Sequence, residues 1–139
     1  MDKLDIVTDE SGNEVVLLPE IIFSNKQNIN WNDVEDYLGK YVGELIEIAE
    51  TRDIIYIGNK FPDEYGGSSY TRKTKGARAK AKANAAQGIR EMVEIATDKV
   101  YRENHKEKHS EDAHNGWFYY VTRFAIPLYN NEKKTGDQL

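Results

Sequence analysis

The 139-residue chain contains no cysteine and no long apolar run. Without cysteine, disulfide bonds and thiolate metal sites are excluded, and a reducing compartment suits such a chain. A helix that spans a bilayer needs about 20 apolar residues, and no run in this sequence comes near that length. The N-terminus, MDKLDIVTDE, lacks the apolar segment of a signal peptide. The sequence therefore predicts a cytoplasmic protein that does not bind a membrane.

One segment has no acidic residue. The chain carries a net charge of −5 from 19 basic and 24 acidic residues, yet residues 66–90 contain no Asp or Glu. Their seven basic residues are Arg72, Lys73, Lys75, Arg78, Lys80, Lys82 and Arg90, which leaves the other 12 basic residues against all 24 acidic ones. Such a concentration of positive charge indicates a site for a phosphate-bearing partner, RNA or DNA. The alternative is a solvated helix that is basic because its neighbours are acidic.

Residue patterns predict a small folded domain. Nine Tyr, four Phe and two Trp are too many aromatic residues for a disordered chain. An apolar stripe after a capping Asn32 predicts a helix over 30–43, and β-branched runs predict a hairpin over 44–57. We expect an arm or edge strand at 14–18 and 21–23, a loop over 58–69, and helices over 71–87 and 98–114. Residues 91–97 suit a helix or a strand, and we favour the helix. A strand buried on both faces is expected over 116–129.

The predicted basic helix offers two sets of side chains. A line of small residues, Thr74, Ala77, Ala81, Ala85 and Gly88, lets it lie close to a sheet. Lys75, Arg78 and Lys82 form a separate line that suits successive phosphates, with Lys80 nearby. Asn84 and Gln87 extend the polar side and are candidates for hydrogen bonds to a base or a nucleic-acid backbone.

Further candidates for chemistry are spread along the chain. Asp63 and Glu64 beside a Gly-Gly pair suit acid–base catalysis or a metal ion. The alternative is an exposed loop with no chemical role. His105 and His109 share a face if the segment is helical, a spacing that suits a zinc site. The lysines of the segment compete with a metal, so a single histidine that acts as an acid or a base is the better interpretation. Arg123 stands in an aromatic run, where it either pairs with an acid such as Glu94 or clamps a phosphate. Neither a cofactor nor a metal is predicted.

Several runs, in order, resemble the large polyvalent protein-associated domain of the third type, which occurs in phages and conjugative elements. They are IIFSNKQNINW, VEDYLGKYVGE, the stretch from DIIYIGNK to AAQGI, EMVEIAT, HKEKHSEDAHNGWFYY and TRFAIPLY. That family is thought to be remotely related to the barnase, EndoU, colicin and ribosome-dependent toxin nucleases. The resemblance implies one α+β domain, with N-terminal helices packed on an antiparallel sheet, over residues 20–130. It leaves an arm over 1–19 and a polar tail over 131–139.

The same resemblance implies engagement of RNA, or DNA, in the host cell of a mobile element, with metal-independent ribonuclease activity as the catalytic version. In that reaction the 2′-OH attacks the adjacent phosphate. The matching positions here are His109 or Glu94 as base or acid, and Lys80, Lys82 and Arg123 as charge stabilisers. Tyr120 or Asn84 would donate hydrogen bonds.

One departure favours the alternative. Relatives continue past the position of Tyr129 with further strands, whereas this sequence ends at Leu139. We therefore also expect an open sheet edge. Such a chain suits a non-catalytic accessory module that binds a host or phage protein, or nucleic acid.

Overall fold

The computed structural model describes residues 3–24, 29–67, 76–103 and 117–127. Its helices and largely antiparallel strands confirm the predicted α+β class. The elements are β1 (Asp5–Thr8), β2 (Glu14–Leu17), α1 (Trp31–Leu38), β3 (Leu45–Glu47), β4 (Ile54–Tyr56), α2 (Phe61–Gly66), α3 (Gly76–Ala85), α4 (Ile89–Glu94), β5 (Thr97–Arg102), β6 (Trp117–Val121) and β7 (Phe124–Ala125). Among the described residues, no helix is both long and apolar enough to cross a bilayer.

Strands of the described residues divide among three small sheets. β1, β2 and β7 form the first, while β3–β4 and β5–β6 are two-stranded antiparallel sheets. β2 pairs antiparallel with β1 and parallel with β7. Residues 14–18 are thus no edge strand, because Val16 N–H and Leu18 N–H donate to the carbonyls of Arg123 and Ala125 at 3.0 Å. The single antiparallel sheet that we expected is replaced by this divided arrangement.

The N-cap of helix α1 lies two residues before Asn32, the cap that the sequence pattern predicts. The Oδ1 of Asn30 accepts hydrogen bonds from the N–H groups of Asn32 and Asp33, so Asn30 is the N-cap. Val34 and Leu38 are fully buried, as the predicted apolar stripe requires. The helix then tightens into a 3-10 turn over Gly39–Tyr41, which ends the predicted 30–43 segment.

Helix α3 packs into the core through small residues that belong only in part to the predicted line. Ala79, Ala83 and Ala86 are 1%, 0% and 0% exposed, whereas Ala77 is exposed. Spacings of four and three residues place these alanines on one side of the helix. The core that they join includes Val16, Val34, Leu38, Ile46, Ile57 and Ile89. Close packing by small residues therefore holds, and it includes Ala85 and Gly88 of the predicted line, which are also buried.

Three further predicted elements are wrong within the described part of the chain. The expected loop contains the short helix α2, which starts with Phe61 and Pro62 because proline suits the first turn of a helix. Asp98–Arg102, expected in a solvated helix, lies in β5. β6 is not buried on both faces, since Phe118 and Tyr119 are 55% and 50% exposed.

Candidate functional site

The residues predicted to act on nucleic acid do not form one cluster in the described structure. His109 and Lys75 lie outside the described residues, as do His105 and His114. Arg78, Lys80, Lys82, Asn84 and Gln87 belong to α3 and its 3-10 extension. Glu94 ends α4, Tyr120 lies in β6 and Arg123 follows it. Their contacts separate them into structural residues and residues that face solvent.

Asn84 has a structural role that excludes the predicted contact with nucleic acid. Its side chain is fully buried, and its Oδ1 accepts hydrogen bonds from the N–H groups of Ile22 (2.8 Å) and Phe23 (3.1 Å). Its Nδ2 donates to the carbonyls of Phe23 (3.0 Å) and Lys80 (2.8 Å). Since the amide has used its hydrogen-bonding groups on the protein backbone, Asn84 fastens the 20–24 segment to α3.

Gln87 continues that backbone fastening. Its Nε2 donates to the carbonyl of Glu20 at 2.8 Å and to the carbonyl of Asn84 at 3.2 Å. Both amide hydrogens are thereby occupied, and only the amide oxygen remains for a partner. The polar side of α3 thus holds the N-terminal segment, which sequence spacing alone does not reveal.

Cations of α3 differ in their surroundings. Arg78 is exposed, whereas Lys80 and Lys82 are half-buried. The Nζ of Lys82 lies 5.1 Å from the ring centroid of Tyr65, whose hydroxyl donates to the Lys82 carbonyl at 2.6 Å. Burial raises the pKa of Tyr65 well above its ordinary value. Of the expected row of cations, the two that the structure describes, Arg78 and Lys82, therefore differ, and Arg78 is the more accessible.

Glu94 belongs to an ion-pair network rather than to a site with Arg123. One carboxylate oxygen lies 3.0 Å from Nζ of Lys3, and the other lies 3.7 Å from Arg90. Arg90 also pairs with Glu44 at 2.5 Å. The half-buried Arg123 side chain has no ion pair with any described residue, so the expected Arg123–Glu94 pair is absent from this part of the chain.

Tyr120 meets a cluster that links the two hairpins. The Oδ2 of Asp53 accepts hydrogen bonds from Tyr120 OH (2.8 Å), Lys99 Nζ (2.8 Å) and Thr51 Oγ1 (2.7 Å). The Lys99 ammonium, followed by the two hydroxyl groups, lowers the pKa of Asp53 to about 2. The pKa of Tyr120 is raised, first by desolvation and then by its bond to Asp53. At neutral pH, Asp53 is therefore a weak base that fixes Lys99 and Tyr120 in place.

Aromatic rings and cations alternate over both faces of the β5–β6 hairpin. On one face the Tyr101 and Phe118 rings lie 5.2 Å apart, and Nζ of Lys99 lies 4.3 Å from the Phe118 centroid. On the other face the Arg102 guanidinium lies 5.5 Å from the Tyr119 centroid. Tyr101, Phe118 and Tyr119 are each about half exposed. We call Lys99, Tyr101, Arg102, Phe118 and Tyr119 the aromatic–basic surface.

An apolar pocket of about 620 Å³ adjoins this surface at Tyr120. Its walls come from β4, α2 and α4, and they include the rings of Tyr56, Phe61 and Tyr65. Three polar residues at its rim, Asn59, Lys60 and Glu64, are exposed. Within the described ranges, these three side chains make no hydrogen bond or ion pair. Glu64, expected in an acid–base loop, thus lies at the mouth of a pocket.

Asp53 provides a pH-dependent test of the cluster. Its folded-state pKa of about 2 lies below the ordinary 3.8, so its stabilisation is present above the ordinary value and is lost as pH falls towards 2. We expect Asp53→Asn to lower the urea midpoint by a constant amount at neutral pH, and this difference to shrink between about pH 4 and pH 2. Asp36→Asn, on the exposed side of α1, is the control. A difference that does not change with pH would contradict this role.

The sequence predicts a role for Tyr120 but gives no sign of its partners. Asp53 and Lys99 are 46 residues apart, and Lys99 lay in a segment read as a helix. The only local signal was Thr51 two residues before Asp53, a spacing at which hydroxyl and carboxylate side chains form turns.

Comparisons with protein-family models, with curated proteins and with solved structures find no match for this chain.

Proposed function

We propose that this domain binds single-stranded RNA through its aromatic–basic surface. The observation that carries the proposal is the pairing of half-exposed rings with cations on β5–β6: Lys99 over Phe118 and Arg102 over Tyr119. Proteins bind unpaired nucleotides by stacking bases on aromatic rings and by placing Lys or Arg along the phosphates. Aromatic rings that stay exposed to water are unfavourable, so a contiguous patch of them is typical of a binding site.

The basic segment supplies further charge to this proposal. Arg78 is exposed on α3, and the sequence places Arg72, Lys73 and Lys75 just before that helix. Positive charge concentrated in one segment raises the rate of encounter with a polyanion, even on a protein of net charge −5. The family resemblance implies that the protein acts in the cytoplasm of a cell that hosts a phage or mobile element. This location is part of the same proposal.

Binding has more support than cleavage. Asp53, whose pKa is about 2, is a weak base, and Glu94 is held by Lys3 and Arg90. His109, the strongest candidate for proton transfer, lies outside the described residues. Ribonuclease activity therefore stays a hypothesis that depends on His109. Its test is RNA cleavage in EDTA by the wild type and by His109→Ala, with cyclic phosphate ends as the product.

A second candidate function is protein binding, and one observation favours it. Leu45, Ile54 and Tyr56 share the outer face of the β3–β4 hairpin and are 64%, 58% and 63% exposed. An apolar strip of this kind is typical of a protein-binding surface. Leu45→Ala with Ile54→Ala separates the two functions, because it removes this strip and leaves the aromatic–basic surface intact.

The salt dependence of RNA binding tests the proposal. The logarithm of the affinity of a single strand falls with the logarithm of the salt concentration by about 0.7 per phosphate contact. We expect Arg102→Gln to reduce that slope by about 0.7 and to weaken binding most at low salt. The measurement is fluorescence anisotropy of a labelled 12-nucleotide RNA, with single-stranded DNA and duplex RNA for comparison.

The matched control is Arg52→Gln, since Arg52 lies in the β3–β4 turn and pairs with Glu47. It should leave the slope unchanged. Equal effects of the two substitutions would mean that positive charge acts without regard to its position. Absence of RNA binding by the wild type would overturn the proposed function.

A further inference from the structure

The pocket beside Tyr120 has the size and lining of a ligand site. Its volume of about 620 Å³ falls within the range of about 300–1,000 Å³ typical of small-molecule sites. Five apolar residues of its lining are almost fully buried: Ile48, Ile57, Ile89, Met92 and Ala96. Aromatic rings stand among them, so a flat apolar group would meet carbon on several sides.

Polar groups of the pocket fall into two sets. Three hydroxyl groups are already used: Tyr65 donates to the Lys82 carbonyl, Thr122 to the Met92 carbonyl and Tyr120 to Asp53. The second set is the rim amide of Asn59, ammonium of Lys60 and carboxylate of Glu64, which make no hydrogen bond or ion pair in the described part of the chain. These three groups supply donors and acceptors to a ligand that enters the mouth.

We propose that this pocket holds one unstacked nucleobase, which extends the proposed RNA binding and rests on it. A base is flat and aromatic, and its edge carries the donors and acceptors that an amide, an ammonium and a carboxylate can pair with. A purely aliphatic ligand would leave the rim groups without such partners. Tyr120 connects the sites, because it lies on the strand that carries Phe118 and Tyr119 and also lines the pocket.

Methyl NMR with nucleoside 5′-monophosphates tests the proposal without RNA. We expect adenosine, guanosine, cytidine or uridine monophosphate to shift the methyl signals of Met92, Ile55 and Ala96. Ribose 5-phosphate, which lacks the base, should not shift them. Asn59→Ala combined with Glu64→Gln changes only exposed side chains and should weaken nucleotide binding roughly tenfold. Ala96→Phe fills the pocket and should abolish the shifts, with folding checked by circular dichroism.

Each outcome separates the pocket from the surface. Equal shifts with ribose 5-phosphate, or shifts only with an aliphatic carboxylate such as decanoate, would overturn the base assignment. So would pocket signals that no nucleotide moves, even if RNA still binds to the aromatic–basic surface. Conversely, nucleotide binding in the pocket by a protein that does not bind RNA would refute the proposed function and leave a site for free nucleotides.

Discussion

Replacing Asn84 by alanine is expected to lower the free energy of unfolding by about 2–4 kcal/mol, because it removes four hydrogen bonds from a fully buried position. The part-buried N–H groups of Ile22 and Phe23 lose their acceptor, and a donor that is taken out of water without a partner is costly. A loss of this size is a large fraction of the roughly 5–15 kcal/mol that stabilises a small domain. Urea unfolding followed by circular dichroism measures it as a lower midpoint at an unchanged slope.

Gln87→Ala is the matched control at the end of the same helix. Gln87 also donates to the backbone, but its bond to the Glu20 carbonyl lies in an exposed position, where water can replace the side chain. We expect its cost to stay below about 1 kcal/mol. If Asn84→Ala were no more costly than Gln87→Ala, the N-terminal segment would not depend on α3 for its attachment.

The double substitution Tyr101→Ala and Phe118→Ala is expected to weaken binding of single-stranded RNA by about 30- to 25,000-fold. Base stacking on one aromatic ring contributes about 1–3 kcal/mol, and these two rings form a contiguous surface 5.2 Å apart. Both side chains are about half exposed, so the fold should survive their truncation. Fluorescence anisotropy of the labelled RNA at fixed salt gives the change in Kd.

Leu45→Ala with Ile54→Ala is the control for general loss of exposed apolar surface, since both residues are more than half exposed on the other hairpin. It should leave RNA affinity within about twofold. If both double variants retained wild-type affinity, RNA would not stack on β5–β6. Loss of affinity in the β3–β4 variant alone would assign binding to the opposite hairpin.

Local sequence patterns predicted the elements that depend on contacts between residues close in the sequence. The apolar stripe of α1 and the β-branched runs of β3 and β4 have their expected form, because each depends on neighbours a few residues away. β6 misled the prediction because aromatic residues on both of its faces are typical of a buried strand, whereas here the rings remain half exposed. That disagreement between pattern and burial is the main reason to look for a ligand there.

The contacts of Asn84 and of the candidate site could not be predicted because they are long-range. Asn84 bonds to backbone groups 61 and 62 residues away, and Tyr120 bonds to Asp53 across 67 residues. Nothing in the spacing of α3 distinguishes an amide that faces a phosphate from one that faces the chain's own backbone. The positive charge of residues 66–90 was visible from composition, but the partition of its side chains between core and solvent required the fold.

Amide NMR of the ¹⁵N-labelled protein, titrated with an unlabelled single-stranded RNA, tests the central claim most directly. The account predicts that shift changes concentrate in β5 and β6 and at Asp53, which links Lys99 to Tyr120. They should diminish in the Tyr101→Ala and Phe118→Ala double variant. Shift changes confined to β3–β4, or no change at saturating RNA, would contradict the assignment of RNA binding to the aromatic–basic surface.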